Sequence, residues 1–153
     1  MAGSSESLEE LLAQEEELQF ASFTNDDAWV LGNALVAAAR EADLPIAIDI
    51  SRGEQRLFHY GMPGSAADND AWIERKNRVV RRFGHSSYFM GVQDGDAFAS
   101  TYLLDEGEFA AHGGAFPVRV RDVGVVGTVT VSGLPQEEDH RFVVGLLRAF
   151  LSA

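Results

Sequence analysis

Cysteine is absent from the 153-residue chain. That excludes a disulfide, a thiolate nucleophile, a cysteine-ligated zinc and an iron–sulfur cluster. No apolar run approaches the roughly 20 residues that a membrane-spanning helix needs. The stretch Met1 to Glu10 has neither the basic opening nor the apolar segment of a secretory signal. These absences lead us to expect a cytoplasmic protein with no membrane partner. Bases are scarce as well, 12 against 24 acids, for a net charge of -12. Such a surface repels phosphate backbones, so nucleic acid is not an expected partner. The four histidines (His59, His85, His112, His140) are scattered, with no HExxH pair, and neither a phosphate loop nor a dinucleotide fingerprint occurs. A built-in zinc site is therefore not expected.

What is present describes a globular chain. Hydrophobic residues make up 46%, including ten Phe and two Trp. At this length about 70% of the unfolded surface is buried on folding. No repeat or linker divides the chain, so we expect one domain over 1–153, with 1–6 a disordered terminus. Ser7-Leu8-Glu9-Glu10 has the form of a capping box and opens a helix near 7–18. The acids of that helix have no base among them, which fits either a solvated face or a partner-docking face. Thr24-Asn25-Asp26-Asp27 starts a second helix running to about Ala42, and Pro45 blocks its continuation. Pro45 to Ser51 and Gln55 to Tyr60 read as a hairpin.

Asp68 to Phe83 is a helix stopped by Gly84. Ser87 to Val92 suits a short strand or a helical continuation, and Phe98 to Phe109 fits a helix of three turns slightly better than a strand. Ala115 to Val120 and Val125 to Val131 form the clearest hairpin, the second strand apolar on both faces as a central strand would be. Pro135 opens a last helix with an apolar face of Phe142, Val143, Leu146, Leu147, Phe150 and Leu151. This order lacks regular βαβ alternation. It implies an α+β fold, an antiparallel sheet with helices on both faces.

Three segments could carry chemistry. In His112-Gly113-Gly114 the glycines free the backbone to point successive N–H groups at an anion, and the imidazole could ligate a metal or move a proton. A loop that simply needs glycine explains it equally well. Ser132-Gly133 leads into a helix N-terminus, where ligands often sit, but the first turn already carries Glu137, Glu138 and Asp139. Thr130 stands where a nucleophile elbow requires glycine, so a serine hydrolase is not expected. The helix from Trp72 to Phe83 holds Arg75, Arg78 and Arg82 in one stripe, at about 100° per residue. That stripe suits ion pairing with acids such as those of the first helix, or an anion. Lys76 falls in the opposite, apolar arc. We expect it to snorkel at the helix edge; if enclosed, it must meet an acid partner or a ligand carboxylate. Asp49, Ser51 and Arg52 end a buried strand, lining a cleft or pairing Asp49 with Arg52.

His112-Gly113-Gly114-Ala115-Phe116-Pro117, followed by Gly124-Val125-Val126-Gly127-Thr128-Val129-Thr130-Val131-Ser132-Gly133, resembles the haem-degrading-domain superfamily. The run Gly127 to His140, with Trp72-Ile73-Glu74-Arg75-Lys76 and Val80-Arg81-Arg82-Phe83, is similar to an uncharacterised-protein branch of bacteria and fungi. The resemblance spans about Leu8 to Leu151. It implies a three-layer α/β/α, profilin-like domain with an antiparallel sheet of about five strands, and a homo-oligomer built from dimers. It also implies haem as a possible ligand. His112 would then face the iron, Gly113 and Gly114 would shape the pocket, and Arg52 or Arg75 would hold propionates. Two other readings stay open: a binder or enzyme for a small carboxylate, using Lys76 and the Gly-Gly loop with Ser132 and Gly133 nearby, and a non-catalytic assembly protein. Whether the chain is an enzyme is left open.

Overall fold

The computed structural model describes residues 6–153. The expectation for the extreme N-terminus therefore lies outside the described residues, except at Glu6, which accepts a hydrogen bond from Gln14. Helix α1 (Leu8–Glu17) is opened by the expected capping box, with Ser7 and Glu10 bonding each other's backbone N–H. A two-residue strand follows, β1 (Gln19–Phe20). Thr24 and Asp27 make a second such box at the start of α2 (Asn25–Glu41). The hairpin of β2 (Ala47–Arg52) and β3 (Gln55–Gly61) leads to α3 (Ala67–Phe83), which Gly84 ends in the left-handed region at φ 72. Then come α4 (Ser87–Asp94), the short α5 (Phe98–Tyr102), β4 (Ala115–Val120), β5 (Gly124–Ser132) and α6 (Gln136–Leu151).

The five strands form one sheet in the order β1-β4-β5-β2-β3. All pairs are antiparallel except β1 with β4, a parallel edge contact absent from the sequence reading. The three-layer α+β architecture is as expected. Ile48 and Ile50 of β2 and Val129 and Val131 of β5 point to one face and are fully buried against Leu31 and Leu35 of α2 and Val143 and Leu147 of α6. Truncating one such leucine to alanine costs about 2–5 kcal/mol.

The other face departs from expectation. β5 is buried on both sides, yet the side under α3 is Thr128, Thr130 and Ser132. Next to them lie Asp49 and Ser51 of β2, and Asn77 of α3. Strand alternation thus separates an apolar layer from a buried polar one. Asp49, 1% exposed, accepts from Arg56 Nε at 2.9 Å, Ser51 Oγ at 2.9 Å and Asn77 Nδ2 at 3.3 Å. Its partner is Arg56, not Arg52, because residues two apart on a strand share a face and Arg52 lies on the opposite one from Asp49.

Ser87 to Asp94 is helical, its N-terminus capped by Ser86 and by the carboxylate of Glu15. The three-turn helix expected over Phe98–Phe109 stops after one turn, at Leu103 with φ 58. Arg75 and Arg78 donate to the carbonyls of Glu106 and Glu108, oxygens that a continuing helix would need, and Asp105 accepts from Gly107 N–H. The arginine stripe therefore binds backbone carbonyls of this loop rather than the acids of α1. Those acids find other partners in the same chain: Glu17 takes Arg148, and the buried Glu15 takes His85 at 2.8 Å. Among the described residues no helix is long and apolar enough to cross a membrane.

Candidate functional site

A cleft of about 250 Å³ opens between the first half of α3 and the corner where β5 turns into α6. Asp68, Asn69, Trp72 and Lys76 come from α3, Ser132 to Leu134 from the corner, Gln136 and Asp139 from α6, and His112 from the loop before β4. The Gly-Gly pair lays that loop onto the corner. A Cβ on Gly113 would sit 2.2 Å from Gln136 O, and one on Gly114, at φ +136, 2.4 Å from Val131 O and 2.7 Å from Lys76 Nζ. Only glycine permits this approach. The price is paid in donors: Gly113 N–H goes to Gln136 Oε1 at 3.0 Å, so the loop does not offer an anion two free N–H groups as expected.

Lys76 does not snorkel. It is 3% exposed, with Nζ 3.2 Å from both Val131 O and Asp139 Oδ2. The sheet and α6 close over the apolar arc of α3, leaving the side chain no path to the helix edge. Asp139 is 1% exposed and also accepts from Leu134 N–H at 3.1 Å, which ties the corner to the helix start. Burial lowers the lysine's pKa against the pull of Asp139. Burial likewise raises that of Asp139, opposed by Lys76 and the backbone N–H groups of Leu134 and Gly133. The enclosed-lysine alternative is the one the fold realises, and Asp139 is the required partner. Sequence reasoning had assigned Asp139 only to the helix macrodipole.

His112 is exposed, with its ring centroid 5.1 Å from that of Trp72. Partial desolvation, then the charges of Lys76 and Arg75, hold its pKa below the ordinary histidine value, so the imidazole is neutral at pH 7. Neither ring nitrogen has a hydrogen-bond partner among the described residues. Two further hollows meet at His112. One, about 350 Å³, is lined by Arg75, Phe98, Glu106 and Phe109; the other, about 260 Å³, by Tyr88, Val92 and Gln136. Arg75 stacks on Trp72 at 4.5 Å while holding the Glu106 carbonyl.

The structure therefore brings together His112, Gly113, Gly114, Arg75, Lys76, Ser132 and Gly133, but not Arg52. In the β2–β5 register Ala47 lies opposite Ser132 and Arg52 opposite Gly127, so Arg52 is at the far end of the strand, bonded to Asn25. Trp72, the shared wall, was read from sequence only as a core residue.

Residues 23–147 match the profile of the haem-degrading, HbpS-like proteins. The chain belongs to the HbpS-like family. An uncharacterised UPF0303 protein of Streptomyces coelicolor is 58% identical over 145 residues, covering 93% of this chain and 92% of its own. Among solved structures, Ybr137w superposes with a TM-score of 0.92 at 39% identity, covering 99% of this chain and 91% of that one. A PduOC:haem complex gives a TM-score of 0.66 at 19% identity over 84% of this chain and 94% of that chain, a likeness of fold.

Proposed function

We propose that this protein binds haem, with His112 as the iron ligand. One observation carries the reading: a neutral, exposed imidazole without a hydrogen-bond partner stands where three hollows meet. Its family and the haem held by a fold relative support it. The donor set fits. Histidine is a common axial ligand to haem iron, Trp72, Phe98 and Phe109 supply apolar walls, and Arg75 is a cation for a propionate. Lys76 is already matched by Asp139, which disfavours both a propionate and the small-carboxylate reading. When bound, haem supplies a redox-active iron; His112 orients it and Trp72 shields one side of the imidazole.

Hemin titration of the purified chain, followed in the visible, tests this reading. A saturable, near-stoichiometric Soret shift that His112→Ala abolishes is expected. A shift unchanged in His112→Ala refutes His112 as ligand, and one no stronger than an unrelated acidic protein gives refutes binding altogether.

We infer self-association as well. Trp29 and Val30 on α2 are 63% and 55% exposed, beside the outer edge of β3, which no strand of the sheet covers. Light scattering should give a multiple of 16.6 kDa that Trp29→Ser reduces; a monomer at all concentrations overturns it.

A further inference from the structure

Of the chain's 12 lysines and arginines, Lys76 is the one lysine. Every exposed cation among these residues is an arginine, whose guanidinium does not lose its proton in proteins. The single position where the chain places a deprotonatable amine is almost fully buried and borders a cleft. Within hydrogen-bond distance stands a carboxyl group that is itself 1% exposed. Gly114 leaves the space in front of the amine open, since a Cβ there would lie 2.7 Å from Nζ. Burial pushes amine and acid in opposite directions, both toward the uncharged pair.

We propose that Lys76 is a nucleophile that captures a small, uncharged aldehyde as an imine, with Asp139 as its acid. The neutral amine adds to the carbonyl carbon to give a carbinolamine. Asp139 then protonates the departing hydroxyl, the C–O bond breaks, and water leaves. The product is a protonated imine on Lys76 paired with the Asp139 carboxylate, with no oxidant or reductant consumed. The cleft selects the substrate class. At about 250 Å³ it admits a small molecule, Trp72 offers a flat apolar wall, and Asp68 and Asp139 oppose an anionic carbonyl compound. This inference is independent of haem: a chain that ignores hemin would still capture an aldehyde.

The folded chain carries two kinds of primary amine, Lys76 and the α-amine, so the assay is clean. The native protein is incubated with butyraldehyde and sodium cyanoborohydride at pH 7, then peptide-mapped by mass spectrometry. The expected result is butylation of Lys76 at a rate that saturates with aldehyde, and label confined to the α-amine in Lys76→Arg. Asp139→Asn should slow labelling of Lys76 about 100-fold, the usual contribution of a positioned general acid. Glyoxylate, the anionic comparison, should label more slowly than butyraldehyde. Label on the α-amine alone, or Lys76 labelling that appears only in urea, overturns the proposal, and this comparison stands even where Asp139→Asn fails to fold. Faster labelling by glyoxylate overturns the substrate class.

Discussion

Lowering the pH should unfold this protein partly through one histidine. His140 on α6 is 1% exposed, packed between the rings of Tyr88 and Phe116. The amide of Gln14 donates to Glu6, which turns its Oε1 toward His140 Nε2 at 2.9 Å. That orientation fixes the neutral tautomer with the proton on Nε2. A second proton on Nδ1 finds no acceptor among the described residues. Burial, and secondarily the charge of Arg141, push the pKa down to about 4. In the unfolded chain the same group titrates near 6.5. The folded state therefore binds fewer protons between those values. His140 costs nothing above pH 6.5, and its penalty grows as the pH falls to about 4, reaching about 3 kcal/mol. Against a total stability of about 5–15 kcal/mol that is a large share. Urea denaturation followed by tryptophan fluorescence, at several pH values between 3.5 and 7.5, measures it. Carboxylates contribute to the same decline, so the decisive quantity is the difference from His140→Phe, which keeps a ring between Tyr88 and Phe116. At pH 7 the variant should be about 1 kcal/mol less stable, having lost the Gln14 bond. Toward pH 4 it should become the more stable protein. A wild-type-minus-variant difference that stays flat across the range would refute the assigned burial and tautomer.

Gly114→Ala should destabilise by at least about 2 kcal/mol, read as a lowered melting temperature, because its Cβ meets Val131 O and Lys76 Nζ at a φ that L residues rarely adopt. Lys76→Met leaves the Asp139 carboxylate buried and unpaired, for a loss of about 3–5 kcal/mol at pH 7 in urea denaturation. With its folded pKa raised, Asp139 binds its proton more tightly when folded, so this loss should shrink as the pH falls, and Lys76→Met with Asp139→Leu should recover most of it. Ser7→Ala removes one half of the capping box and should cost about 1 kcal/mol, most evident in hydrogen exchange of α1.

Local chemistry was legible in the sequence wherever a residue acts on its immediate neighbours. Ser7 with Glu10 and Thr24 with Asp27 opened helices, Gly84 closed one, and the β-branched runs around Gly124 paired. Each depends on side-chain to backbone bonds within a few residues, so composition and spacing suffice. The Phe98–Phe109 segment read wrongly because its helical period was real, but the guanidiniums of Arg75 and Arg78, about 30 positions earlier, took the carbonyls.

The site divides along the same line. The sequence by itself determined that a glycine pair follows His112, that no thiol chemistry is available, and that Lys76 sits in the apolar arc of its helix. Only the tertiary structure decided what that lysine meets. Asp139 lies 63 residues away, and the choice between snorkelling and a buried pair rests on whether the sheet and α6 close over it. Helical periodicity specifies which side chains share a face. It carries no information about what a distant strand or helix will press against that face, and here the pressing groups are the Val131 carbonyl and the Asp139 carboxylate.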